Sequence, residues 1–168
     1  MLSRTRKILR DGDCLCERRR DRLWRAYDNI LFRLGPGVAM PLRRRPIELK
    51  VRQLSQPIAA RLGTSDFMVI HQIFLQGEYS PLLGLAPSDL QYVLDLGSNA
   101  GYTVRYWAEN FPSCRIIGAE PEPGNLAMCQ RNIALGGIRG RVSLSGSCAL
   151  GTILCLLGFD TKGDTIFS

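Results

Sequence analysis

Between residues 91 and 145 the chain alternates apolar runs with amphipathic ones, each pair joined by a glycine- or proline-marked turn. The apolar runs are QYVLDLG, RIIGAEP and RVSLSG; between them lie YTVRYWAENF and the stretch 125–135. Strand and helix periods that alternate at this length predict parallel strands joined by right-handed helical crossovers, an α/β architecture built on a βαβαβ half-sheet. Pro112 stops the first helix and Gly136-Gly137 the second. QYVLDLG is almost continuously apolar, which predicts a central parallel strand covered on both faces.

In such a unit ligands bind beyond the carboxyl ends of the strands, where loops and helix N-termini present backbone N–H groups. The segment VLDLGSNAGYTV, residues 93–104, places Asp95, Gly97, Ser98, Asn99 and Gly101 at that end of the first strand. The second strand ends in Glu120, twenty-three positions after Gly97. A carboxylate there can accept hydrogen bonds from both ribose hydroxyls, so the two features together predict a nucleoside-containing ligand. Asn99 stands where a dinucleotide fingerprint has its second glycine, the one that lets backbone approach a pyrophosphate, and G-x-x-x-x-G-K-[ST] is absent. That pattern disfavours NAD, FAD and ATP. It suits S-adenosylmethionine, which has ribose and adenine but no phosphate, with Ser98 and Asn99 as donors to its amino-acid carboxylate.

From Gly63 to about Leu135 the chain resembles the FkbM-type class I S-adenosylmethionine-dependent methyltransferases. The resemblance is carried by GTSDFMVIHQIFLQGEY, VLDLGSNAGYTV and IIGAEPEPGNLAMCQRN, and most narrowly by D-x-G-x-N-x-G followed by E-P-x-P-x-N. It implies a Rossmann-like class I methyltransferase fold in which Asp95, Gly97, Ser98, Asn99 and Gly101 line the methionine and sulfonium side and Glu120 holds the ribose. It also implies that Glu78 and Tyr79 lie near the cofactor pocket and that Asn125 caps a helix. The implied reaction is in-line transfer of the sulfonium methyl to an oxygen, less often a nitrogen, of a small-molecule or glycan acceptor. Such a sheet has seven strands, of which three are legible, and nothing here resembles the family's downstream L-K-I-D-x-E-G strand. The expectation is therefore a partial, truncated fold of little or no activity, or one part of a split enzyme. A sheet edge left open this way invites a completing partner or self-association.

The N-terminal third has a different character. Residues 1–60 hold fifteen Arg or Lys against six Asp or Glu, a balance of +9, while the remaining 108 hold seven against nine, a balance of −2. Residues 1–19 show no sustained apolar period and read as a loose arm. DRLWRAYDNILFRL reads as an amphipathic helix whose buried face is Leu23, Tyr27, Ile30, Leu31 and Leu34, stopped by Gly35-Pro36. IELKVRQL alternates like a half-buried strand, with PIAARL as its antiparallel partner. A helix from Asp66, capped by Ser65 and ended by Gly77, buries Phe67, Ile70, Ile73 and Phe74. The organisation expected is thus a basic helical and hairpin extension over 1–62 and a methyltransferase-like domain over 63–168.

The basic extension also admits a non-enzymatic role, contact with RNA or an anionic membrane surface, although acidic residues mixed into the run argue against both. The one histidine, His71, falls inside the helix from Asp66 and reads as an edge residue. The six cysteines contain no C-x-x-C, so they read as small buried apolar residues of a reducing compartment, with no metal site. The longest apolar run, CALGTILCLLGF, is too short to span a bilayer, and the chain reads as a soluble cytoplasmic protein.

Overall fold

The computed structural model describes residues 15–34, 46–84 and 90–147. Expectations for residues 1–14, for the Gly35-Pro36 stop and for CALGTILCLLGF fall outside them. The chain divides into two compact units, Met1–Pro81 and Leu82–Ser168.

The first unit runs through helix α1 (Arg19–Leu34), strands β1 (Ile47–Leu49) and β2 (Ile58–Ala60) and helix α2 (Asp66–Ile70), whose winding widens into a π-helical turn at His71–Leu75. The expected hairpin is present, antiparallel, with Ile47 opposite Ala60 and Leu49 opposite Ile58. The arm is not loose where it meets this hairpin. Leu15 and Cys16 are fully buried, Cys16 bridges Val51, and the Leu15 carbonyl accepts the Arg52 N–H at 3.0 Å. An unpaired strand edge has bound the end of the arm, which has no period of its own to announce the pairing.

Helix α1 covers the expected residues but is rotated about its axis, with Leu34 of the expected face outside the described side chains. Of its expected buried face, Leu31 is buried, while Leu23, Tyr27 and Ile30 are exposed. The inward side carries Asp21 and Asp28, both buried. Asp21 Oδ2 accepts the Lys50 N–H at 2.9 Å, and Asp28 Oδ1 accepts the Gly63 N–H at 2.6 Å. Charge-assisted bonds to backbone donors in the hairpin and the following loop thus decide the helix rotation.

The expected inner face of α2 is as read, with Phe67, Ile70, Ile73 and Phe74 all buried. Ser65 occupies the N-cap position but makes no side-chain cap bond; Thr64 Oγ1 accepts the Asp66 N–H instead, at 3.2 Å. Asp66 receives a two-pronged ion pair from Arg61, at 2.9 and 2.8 Å, and the Arg61 N–H at 2.8 Å. The short helix α3 (Ser80–Leu83) follows.

The second unit contains β3 (Tyr92–Leu96), α4 (Tyr102–Asn110), β4 (Arg115–Ala119), α5 (Pro123–Leu135), a 3₁₀ turn (Arg139–Arg141) and β5 (Val142–Ser145). The three strands are parallel in the order β3-β4-β5, with Val93 beside Ile116 and Ile116 beside Val142. This is the α/β half-sheet read from the alternation, a partial Rossmann-like fold. Val104 and Ala108 of α4 pack with Cys129 and Ile133 of α5 on Ile116, flanked by Val93, Val142 and Leu144. Both helices therefore cover one face. Each crossover steps the same way along the sheet, and right-handedness then sends both helices to the same side.

The second face is where the expectation for QYVLDLG fails. Tyr92, Leu94 and Leu96 point away from the helices and are 60%, 46% and 40% exposed, and β3 lies at one edge of the sheet. The strand is apolar on both sides, as read, but among the described residues only one side is covered. Among the described residues no helix is long and apolar enough to cross a membrane.

Helix α5 ends in a Schellman turn: the Ile138 N–H reaches the Ile133 carbonyl, the Gly137 N–H that of Ala134, and Gly137 takes φ +65°. The buried guanidinium of Arg105, from α4, lies against this end. Its Nη1 donates to the Asn132 carbonyl at 3.1 Å, and a Cβ on Gly136 would sit 2.6 Å from its Nε. A cation at a helix C-terminus complements the helix dipole there.

Candidate functional site

The site lies at the carboxyl ends of β3 and β4, where two turns are tied to each other by backbone. Leaving β3, the chain folds back so that the Gly97 and Ser98 N–H groups both donate to the Ala119 carbonyl, at 2.8 and 2.9 Å. Gly97 takes φ +91°, Asn99 +48° and Gly101 +81°. Asn99 is the one non-glycine among the described residues with positive φ, and its Oδ1 accepts the Ala100 N–H at 2.7 Å. Asparagine tolerates this conformation through such a local bond.

Glu120 fastens the two turns together. It is buried, its Oε2 accepts the Asn99 N–H at 2.8 Å and its Oε1 accepts the Glu122 N–H at 2.9 Å. Its own N–H donates to the Ser145 carbonyl at the end of β5. The carboxylate is thus fixed in orientation by both βα loops. Each of its oxygens has the acceptor capacity for a second contact, such as a hydroxyl arriving from the loop side.

Asp95 is half-buried at the end of β3, and its Oδ2 accepts the Thr103 hydroxyl at 2.6 Å. Burial pushes its carboxyl above the ordinary carboxylate value, with the Glu120 charge adding to the rise and the Thr103 and Ser98 hydroxyls opposing it. Two carboxylates that repel each other at one end of a sheet favour a ligand carrying positive charge over one carrying phosphate. Beneath them sits the Cys129 thiol, pushed up to about 12 by burial and by the charges of Asp95 and Glu120.

Ser98 is turned inward. Its hydroxyl donates to the Asp95 carbonyl at 2.9 Å, and a Cβ on Gly118 would stand 2.6 Å from that hydroxyl, so Gly118 of β4 makes room for it. Gly101 admits helix α5: a Cβ there would meet Cys129 Sγ at 2.8 Å and Cys129 Cα at 3.1 Å. The glycine spacing in D-x-G-x-N-x-G thus answers two demands, left-handed backbone and close approach of a second helix.

Asp95, Gly97, Ser98, Asn99, Gly101 and Glu120 are all brought together at this end of the sheet. Glu78, exposed, and Tyr79, half-buried, lie in the first compact unit, in the turn before α3. The residue expected to cap α5, Asn125, is not its cap. Glu122 is, with Oε1 accepting the Gly124 N–H at 2.9 Å and Oε2 the Asn125 N–H at 2.6 Å, ahead of Pro123 at the first helical position. That proline was the available signal, since it marks the helix start two residues earlier than the apolar period does. Thr103 and Asn132 were missed altogether. Asn132, fully buried, donates Nδ2–H to the Ala100 carbonyl at 2.8 Å and so holds the glycine turn onto α5. A polar residue inside an apolar helix face gives no hint of which loop it serves.

By their chemistry the residues present would suit S-adenosylmethionine: two strand-end carboxylates, Glu120 and Asp95, beside a turn with Asn99 in place of a fingerprint glycine. No protein-family model matches the chain, and no curated protein matches it. Among solved structures, an S-adenosylmethionine-dependent methyltransferase from Agrobacterium tumefaciens is similar over 66% of this chain at 14% identity, with a TM-score of 0.46. The chain spans about a third of that structure's length, 34%.

Proposed function

We propose that the second unit is the cofactor-binding half-sheet of an S-adenosylmethionine-dependent methyltransferase of the FkbM type, acting by O-methylation. The observation that carries this reading is Glu120, a buried strand-end carboxylate held by the Asn99 and Glu122 N–H groups across two βα turns. That geometry is costly to build for stability alone, because a buried carboxylate must recover its lost hydration from fixed donors. It is well suited to a ribose diol, and Asp95 beside it suits the cationic end of the same molecule.

The bound cofactor supplies an electrophilic methyl group on sulfonium. The chain's part is to position it: Glu120 fixes the ribose, Asp95 and the Asn99 turn fix the amino-acid end, and the rigid strand ends set the distance to an acceptor. The acceptor is a small molecule or a glycan.

The test is calorimetric titration of the full chain with S-adenosylmethionine and S-adenosylhomocysteine, with NAD as control and Glu120→Gln alongside. Micromolar binding of the first two, absent for NAD and at least about tenfold weaker in Glu120→Gln, is expected from the loss of a charged diol acceptor. Equal binding by wild type and variant, or none by a sample with native circular dichroism, refutes the reading.

A further inference from the structure

Helix α1 turns its apolar stripe to solvent. Leu23, Tyr27 and Ile30 are 66%, 37% and 54% exposed, spaced by four and three residues, so they form one continuous outward row. Trp24 lies at its margin, half-buried, with its ring 5.9 Å from that of Tyr27 in an edge-on contact. This helix keeps Leu31 inside together with two aspartates and turns Leu23, Tyr27 and Ile30 outward.

The charge on that helix is divided in the same way. It contains five arginines, at 19, 20, 22, 25 and 33, and two acidic residues, Asp21 and Asp28. Both acids are buried on the inward side and bonded to backbone N–H groups of Lys50 and Gly63. Arg20 is exposed and pairs with Asp21 at 3.4 Å. At about 100° per residue, the exposed Arg20 falls beside the Leu23–Tyr27–Ile30 row. Both acidic side chains of the helix are therefore buried, with Asp21 still paired to Arg20.

We infer that α1 is an in-plane docking helix for an anionic lipid surface, with Leu23, Tyr27 and Ile30 entering the acyl boundary and the basic flank meeting the headgroups. This is independent of the methyltransferase reading, since it uses only the first unit. Exposed apolar side chains beside arginine, with a Trp and Tyr at the margin, match the anatomy of helices that lie in the membrane interface. RNA would be served by the arginines alone and would leave the apolar row without a partner.

The test is flotation of the full chain with vesicles of phosphatidylcholine and 30% phosphatidylserine, with pure phosphatidylcholine vesicles and a single-stranded RNA of mixed sequence as alternatives. Variants are Leu23→Gln/Ile30→Gln and Arg20→Gln, each checked for native circular dichroism. Partition into the anionic vesicles is expected, with a blue shift of Trp24 emission read in a Trp107→Phe background. It should fall about tenfold or more in the Leu23/Ile30 variant, from lost apolar burial, and fall severalfold in Arg20→Gln or at ~0.5 M salt, from lost headgroup attraction and screening. Failure to float, flotation unaffected by Leu23→Gln/Ile30→Gln, or an RNA complex formed without vesicle binding each overturns the inference.

Discussion

Replacing Gly101 by alanine should be among the most damaging single-methyl additions the second unit can receive, for two separable reasons. At φ +81° the backbone is left-handed, a conformation that costs an L-residue roughly 1–2 kcal/mol. The new Cβ would also sit 2.8 Å from Cys129 Sγ and 3.1 Å from Cys129 Cα, both closer than van der Waals separation, and overpacking of this kind costs about 1–3 kcal/mol. The sum, about 2–5 kcal/mol, is a large fraction of the ~5–15 kcal/mol by which a domain is ordinarily stable. Gly97 is the internal control: its φ of +91° is equally left-handed, yet a Cβ there meets nothing within 4 Å, so Gly97→Ala should cost only the conformational part. Cys129→Ala in the Gly101→Ala background removes the clash with sulfur but leaves the α5 backbone as close as before, so it should restore part of the loss. Urea denaturation followed by Trp107 fluorescence in a Trp24→Phe background reads the second unit. If Gly101→Ala and Gly97→Ala cost the same within about 0.5 kcal/mol, the close packing of α5 on the turn is not what makes Gly101 necessary.

Three further outcomes follow from the same unit. Arg105→Met should lower stability by about 1–3 kcal/mol, since the apolar replacement leaves the Asn132 carbonyl at the α5 terminus without its charged donor; an unchanged urea midpoint would show that the guanidinium is not needed there. Asp95 takes up its proton more readily in the folded chain than in the unfolded one, so its contribution to stability falls as pH rises from the ordinary carboxylate value through the raised one. Asp95→Asn should therefore gain on wild type as pH rises above the ordinary carboxylate value, and a difference in urea midpoint that runs the other way would contradict the burial argument. Cys114 and Cys129 are buried with raised thiols, Cys129 to about 12; both should resist iodoacetamide at about pH 8 in the native chain and react in urea, as read by peptide mass mapping.

Much of this was legible in the chain because it is local. The βαβαβ order, the strand ends at Asp95 and Glu120 and the inward face of α2 follow from periodicity and from turn residues within a few positions of each other. The gathering of six candidate residues at one end of the sheet follows too, since parallel strands bring their carboxyl ends to one side. The parts that were not legible depend on partners far along the chain. Nothing in DRLWRAYDNILFRL says that the N–H groups of Lys50 and Gly63 will claim Asp21 and Asp28 and so turn Leu23, Tyr27 and Ile30 outward. Nothing in the arm says that Leu15 and Cys16 will find the edge at Val51.

What the amino-acid sequence determined by itself is the set of elements, their order and the handed way two parallel crossovers must stack, because those rest on backbone stereochemistry and the spacing of apolar side chains. What only the tertiary structure decided is which side of each element is used. Helix rotation and the locking of Glu120 between two turns are both settled by hydrogen-bond donors and acceptors that meet only when distant segments pack, and a buried carboxylate takes its orientation from whichever N–H groups restore its lost hydration.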